Sequence, residues 1–199
     1  LPCSPVFHDV MTDSSADTER PLLSRQIDDA RSLEDLSAAA QRIDALLVRL
    51  HDDGLRIERL AHWVGELNRR LLARAWSQLA PPELVANSCL VVMGSEGRGE
   101  QILKTDQDNA LLLRDGYEFA ALPQVAEAFN RSLIEFGWPR CPGEIMLVNP
   151  LWCAPLATFR ERIRGWIYGH EADAPMHLAI FMDAAAVAGD AGLLQQARQ

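Results

Sequence analysis

The 199-residue sequence predicts an α+β fold: a small mixed sheet flanked by helices and preceded by an N-terminal helical hairpin. Two observations carry this. Long apolar seams of helical period fill the chain before residue 82, and short continuous apolar runs of strand length follow residue 88. In the first seam Leu33, Leu36, Ala40, Ile43, Leu47 and Leu50 recur at steps of three and four. Ser32 with Asp35 forms a capping-box pattern, and Gly54 stands where that helix should stop. A second seam runs through Ile57, Leu60, Val64, Leu67 and Leu71 to Pro81-Pro82. Joined by Asp-Asp-Gly, the two helices should pack as an antiparallel hairpin. It is either scaffold or a surface for dimerisation or regulatory coupling.

The period then changes. Cys89-Leu90-Val91-Val92-Met93 and Asn109-Ala110-Leu111-Leu112-Leu113 read as buried strands, and Ile145-Met146-Leu147-Val148 as a third. Between the second and third, Phe119, Leu122, Ala126, Phe129, Leu133 and Phe136 mark a helix ended by Gly137. Leu156, Phe159 and Ile163 fit another helix, and Met176 to Ala188 one more. The expected division is a linker over 1–21, rich in proline, serine, threonine and aspartate, the hairpin over 22–82 and a core over 83–155. Residues 156–199 are expected to form a C-terminal helical segment, the start of a larger region.

Composition narrows the function classes. The formal net charge is -9, from 28 acidic and 19 basic residues, which argues against non-specific nucleic-acid binding. No apolar run approaches the ~20 residues of a membrane helix, and residues 1–11 lack a signal-peptide pattern. Cys3, Cys89, Cys141 and Cys153 form no C-x-x-C pair, and His8, His51, His62, His170 and His177 make no ligand cluster. These features point to a reduced, cytoplasmic protein. A first residue of Leu1 suggests a piece of a larger polypeptide.

One stretch carries chemistry: Gly94-Ser95-Glu96-Gly97-Arg98-Gly99-Glu100-Gln101, then Ile102-Leu103-Lys104-Thr105-Asp106-Gln107-Asp108-Asn109. In an extended segment residues i and i+2 share a face, about 6.6 Å apart at ~3.3 Å per residue. Asp106 and Asp108 would therefore project together and converge on divalent cations. A hard cation such as Mg²⁺ prefers such oxygen ligands, and paired ions serve phosphoryl and nucleotidyl transfer. Taken alone, Asp-Gln-Asp-Asn reads more simply as a polar turn. Upstream, Gly94 would let a phosphate approach backbone N–H groups, and the Ser95 hydroxyl could donate to it. A helix beginning within 97–104 would add its N-terminus. Arg98 could fork onto a triphosphate, while Lys104 is either a phosphate ligand or a solvated lysine. The segment is neither a Walker A loop nor a dinucleotide fingerprint. The five tryptophans fit core or lid packing better than base stacking, and Arg160, Arg162 and Arg164 form a basic patch of open role.

These residues, G-S-x-G-R-G-E-Q followed by T-D-Q-D-N-A-L-L, resemble a family of bacterial nucleotidyltransferases in the DNA polymerase beta superfamily. Such domains are often linked to CBS or cyclic-nucleotide-binding modules. The pattern is also similar to the catalytic domain of uridylyltransferases that modify the PII signalling protein. Cys141-Pro142-Gly143, Met146, Asn149-Pro150, Trp152, Phe181-Met182-Asp183 and Gly189-Asp190 look like later signatures of the family. The resemblance implies a nucleotidyltransferase-like sheet, with Gly94 and Ser95 holding an NTP and Asp106 and Asp108 binding Mg²⁺ or Mn²⁺. It also implies a third carboxylate that helps hold the catalytic metal and activate the acceptor hydroxyl, with Glu144 the candidate and Asp183 the fallback. Ala185 stands where the family's pattern has an arginine, which puts that arginine's role in doubt here. The implied activity is transfer of NMP to an acceptor hydroxyl, one on a protein included, under an upstream regulatory module. The alternatives are a catalytically inactive nucleotide-binding regulatory domain and an interaction scaffold with a dead site. A homodimer is compatible with either active or inactive forms.

Overall fold

The computed structural model describes residues 13–199. Residues 1–12, including Cys3 and the first part of the expected linker, lie outside the described residues. The Ser/Thr/Asp cluster read as linker chemistry instead continues into α1 (Asp13–Asp29), which runs through Pro21. Next come α2 (Leu33–Asp52) and α3 (Ile57–Leu79), the expected hairpin. The capping box at Ser32 is formed in full: the Asp35 N–H donates to Ser32 Oγ at 3.1 Å, and the Ser32 N–H donates to Asp35 Oδ2 at 3.0 Å.

After the short α4 (Pro82–Ala86), β1 (Ser88–Val92) and β2 (Asn109–Leu113) pair antiparallel, with Val92 opposite Asn109 and Ser88 opposite Leu113. Between them lies α5 (Gly94–Arg98), and after them α6 (Leu122–Glu135). The chain ends with β3 (Cys153–Pro155), α7 (Leu156–Tyr168), α8 (Ala174–Met182), β4 (Ala185–Gly189) and α9 (Ala191–Ala197). The sheet order is β3-β2-β1-β4, with β2 and β3 parallel and the other pairs antiparallel. The architecture is mixed α/β, an open four-stranded sheet flanked by helices.

Strand alternation builds two cores. Leu90, Val92, Leu111 and Leu113 face a cluster that includes the buried stripes of α2, α3 and α6. Cys89, Val91, Ala110 and Leu112 face the opposite way, into a cluster with Phe159, Trp166 and Phe181 of α7 and α8 and Leu193 and Leu194 of α9. Both faces are covered, so β1 and β2 carry unbroken apolar sequences. The hairpin shares its core with the sheet, and Trp76 of α3 meets Phe129 of α6 edge-on at 5.3 Å between ring centroids.

Two expected elements are corrected. Residues 145–148 form a turn rather than a strand, although they run beside the start of β2. The Asn109 N–H donates to Ile145 O at 3.0 Å, and the Leu147 N–H to Asn109 Oδ1 at 2.9 Å. Ile145, Met146 and Leu147 are apolar because they are buried, without being paired in a ladder. The third strand comes later, at Cys153. The helix expected over Met176 to Ala188 stops at Met182, and Ala185–Gly189 becomes β4 against β1. Alanine favours helix in isolation, yet small side chains let this edge strand sit close beneath α3, and tertiary pairing wins.

Candidate active site

The glycine-rich stretch closes on itself after β1. Met93 stays extended and its N–H donates to Asp108 O at 2.9 Å, which continues the β1–β2 pairing by one residue. Gly94 then turns with φ +55°, a conformation that suits glycine. A Cβ at Gly94 would stand 2.8 Å from Asp108 Oδ2, so the corner is in direct contact with that carboxylate. The helix of this stretch begins at Gly94, earlier than the expected 97–104, and ends after five residues at Gly99. Ser95 O accepts from the N–H groups of Glu100 (2.8 Å) and Gln101 (3.2 Å). Gly97 is glycine for a different reason: any Cβ there would collide with the backbone oxygen of Asp183.

Residues 101–108 are irregular, so Asp106 and Asp108 lie in the segment entering β2 rather than within its ladder. They nevertheless share a face, because Gln107 between them is turned into the core. Asp106 Oδ1 accepts from Thr105 Oγ1 at 3.1 Å. Asp108 Oδ1 is buried and has no hydrogen-bond partner. Burial raises the Asp108 carboxyl above the usual range, the Cys141 thiol beside it pulls the other way, and the Asp106 charge adds to the rise. An orphaned buried oxygen beside a like charge is what a bound cation would relieve.

The third member of this group is Cys141, which sequence reasoning did not single out as a ligand. One ligand atom from each of Asp106, Asp108 and Cys141 lies within 4.8 Å of the others. Its only signal was a place in the Cys141-Pro142-Gly143 signature. Burial pushes the Cys141 thiol up, so it is held as S–H rather than thiolate. Hard divalent cations prefer oxygen, so within this group the two carboxylates are the ones that could hold Mg²⁺ or Mn²⁺, with the thiol lying beside Asp108.

The other expected residues lie elsewhere. Glu144 is exposed and adopts φ +53° in the turn after Cys141, outside the Asp106–Asp108–Cys141 group. No strand forms over 145–148, although the next residue, Ile145, accepts from the Asn109 N–H at the start of β2. Arg98 is committed to carboxylates: its Nε donates to Glu100 Oε2 at 2.7 Å, and its Nη1 donates to Asp183. Asp183, the fallback acid, is thereby engaged and also lies outside the group. Lys104 is not solvated. Its side chain is 6% exposed, pairs with Asp44 of α2 at 2.7 Å and donates to Ala40 O at 3.2 Å. Its ammonium also lies 4.7 Å from the Trp138 ring centroid.

Glu96, in the glycine-serine stretch, is 5% exposed and faces Asn68 and Arg69 of α3. Burial pushes its carboxyl up to about 7, against the pull of Arg69, the Asn68 amide and Lys104. It lines a cavity of about 10 Å³ together with Gln101, Asp106, Asp108 and Asn109.

Two acids at the entry to a strand, opposite a glycine-serine corner on a mixed sheet, define a candidate nucleotide- and cation-binding domain. A family model described as Putative nucleotidyltransferase DUF294 matches residues 41–173, and the chain belongs to this family. The matched span contains the corner, both aspartates and Cys141. Comparisons with curated proteins and with solved structures give no match. Among the described residues, no helix is long and apolar enough to cross a membrane.

Proposed function

We propose that this domain transfers a nucleoside monophosphate from an NTP to an acceptor hydroxyl with the help of Mg²⁺ or Mn²⁺. The observation that carries the reading is the convergence of Asp106 and Asp108, the second of them against Gly94, with the Asp108 Oδ1 oxygen buried and unpartnered. Asp106 and Asp108 would hold the cation. When bound, it supplies neutralisation of the polyphosphate charge at the point of transfer. Gly94 and Ser95 offer backbone N–H groups and a hydroxyl to the triphosphate. The acceptor oxygen forms a new ester bond to the α-phosphorus and loses its proton to solvent. The bond to the β-phosphate oxygen breaks, and pyrophosphate leaves with the electron pair. The family and the resemblance to PII-modifying uridylyltransferases favour a regulatory setting in the cytoplasm, with a protein hydroxyl among the acceptors. They also favour control by an upstream module.

The test is incubation of the protein with α-labelled NTPs and cell extract. Label on a macromolecule that disappears in Asp106→Asn and Asp108→Asn supports transfer. Label that persists in both variants overturns it.

A second reading, a nucleotide sensor that binds NTP without turning it over, is favoured by one observation. The third group beside the aspartates is the Cys141 thiol, and Glu144 faces solvent. Tight NTP binding by calorimetry with no transfer to any acceptor would select it.

A further inference from the structure

The residue between the two aspartates is the most constrained polar side chain of the segment. Gln107 is 2% exposed, and its amide is used at both ends. Nε2 donates to the backbone oxygens of Asn130 (3.1 Å) and Trp138 (3.0 Å), while Oε1 accepts from Asn130 Nδ2 at 2.7 Å. Turning this amide over would set its oxygen against two carbonyls and its nitrogen against the Asn130 amino group. Only one orientation is therefore tolerated in this dry site. Asn130 is itself 1% exposed and belongs to α6, so a helix outside the glycine-rich stretch grips the aspartate segment from behind.

A second thread joins the same two places. Trp138 Nε1 donates to Gln101 Oε1 at 3.1 Å, and Gln101 Nε2 donates to Thr105 Oγ1 at 3.2 Å. The Thr105 hydroxyl in turn donates to the Asp106 carboxylate. The backbone between the acids and one acid's own oxygen are thus both tied to the segment from Asn130 to Trp138. Of the two acids only Asp108 has a backbone bond to the end of β1, through the Met93 N–H, so across the rest of this irregular stretch these side-chain ties help fix the directions in which Asp106 and Asp108 point.

We infer that Gln107 and Asn130 are positioning residues, whose paired amides set the geometry of the Asp106/Asp108 carboxylates and hence the affinity for a divalent cation. The inference rests on the reading that these two acids hold the cation. Neither amide bonds to an aspartate carboxylate, so about tenfold is expected here, the low end of the about 10–100-fold that direct hydrogen-bond partners of metal ligands contribute.

The experiment is Mn²⁺ titration of the 199-residue protein by calorimetry, with urea denaturation of each variant. Asp106→Asn and Asp108→Asn must first abolish binding; if they do not, the metal-site reading itself fails, and this outcome is separate from the fate of the amide pair. Gln107→Met should weaken Mn²⁺ binding about tenfold and lower stability, because the Asn130 amide is left unpaired. The double variant Gln107→Met/Asn130→Leu removes both amides and should regain stability. A positioning role predicts that its Mn²⁺ affinity stays low. A merely structural role predicts that affinity returns with stability, and that result overturns the inference. Should Gln107→Met fail to fold, Asn130→Leu, which removes the donor to Gln107 and cannot regain one by protonation, decides: wild-type affinity in that variant is equally fatal.

Discussion

Glu96 offers a sharp test of the packing between the hairpin and the glycine-serine corner. Its carboxyl is pushed to about 7 from an ordinary 4.5, with burial as the main cause. A folded-state value above the unfolded one means that folding favours the protonated acid. The contribution is fully present below pH 4.5 and is lost as pH rises through 7. At 1.36 kcal/mol per tenfold, that interval amounts to about 3 kcal/mol of stability lost between pH 4.5 and 8. Glu96→Gln keeps the shape and cannot ionise. Urea denaturation followed by circular dichroism, with chelator present from pH 5 to 8.5, should show nearly equal stability for the two proteins at pH 5. At pH 8.5 the variant should be more stable by about 2–3 kcal/mol. Taking the difference between proteins cancels the groups shifted the other way, such as Asp28 beside Arg70 and the capping Asp35. Parallel pH profiles for wild type and variant would refute the reasoning, because they would mean that Glu96 ionises as freely folded as unfolded.

Three further outcomes are expected. Gly94→Ala places a methyl group against Asp108 Oδ2 on a backbone at φ +55°; it should cost about 1–2 kcal/mol in urea denaturation and weaken Mn²⁺ binding in calorimetry. Glu144→Asn relieves a side chain held at φ +53°; it should raise stability by about 0.5 kcal/mol and leave Mn²⁺ affinity unchanged, whereas a large loss of affinity would return Glu144 to the metal set. Cys141→Ser removes the soft donor beside the aspartates; Zn²⁺ affinity should fall while Mn²⁺ affinity holds, and equal losses for both ions would show the thiol supporting the site in another way.

Much of the fold is legible in the sequence because the relevant forces are local or periodic. The Ser32–Asp35 box, the stops at Gly54 and Pro81-Pro82, and the unbroken apolar runs of β1 and β2 each report a nearby physical demand. The shared face of Asp106 and Asp108 follows from backbone alternation, and it survives in an irregular segment because Gln107 is anchored inward. Ile145 to Leu147 look like a strand since burial demands the same residue types as pairing does. Ala185–Gly189 looks helical since nothing local reveals that β1 has a free edge beneath α3. Cys141 joins the aspartates through a path of more than thirty residues, which no spacing rule encodes. Glu96 and Glu100 stand four residues apart in one polar stretch; only the packing of α3 buries the first and leaves the second exposed.

The most direct measurement is a crystal structure with Mn²⁺ and a non-hydrolysable NTP, located by manganese anomalous scattering. The expected result is a manganese peak bonded to the carboxylates of both Asp106 and Asp108, with the polyphosphate lying along Gly94 and Ser95. Manganese bound instead at Glu144 or Asp183, or a nucleotide seated on another face with the aspartate pair bare, would contradict it.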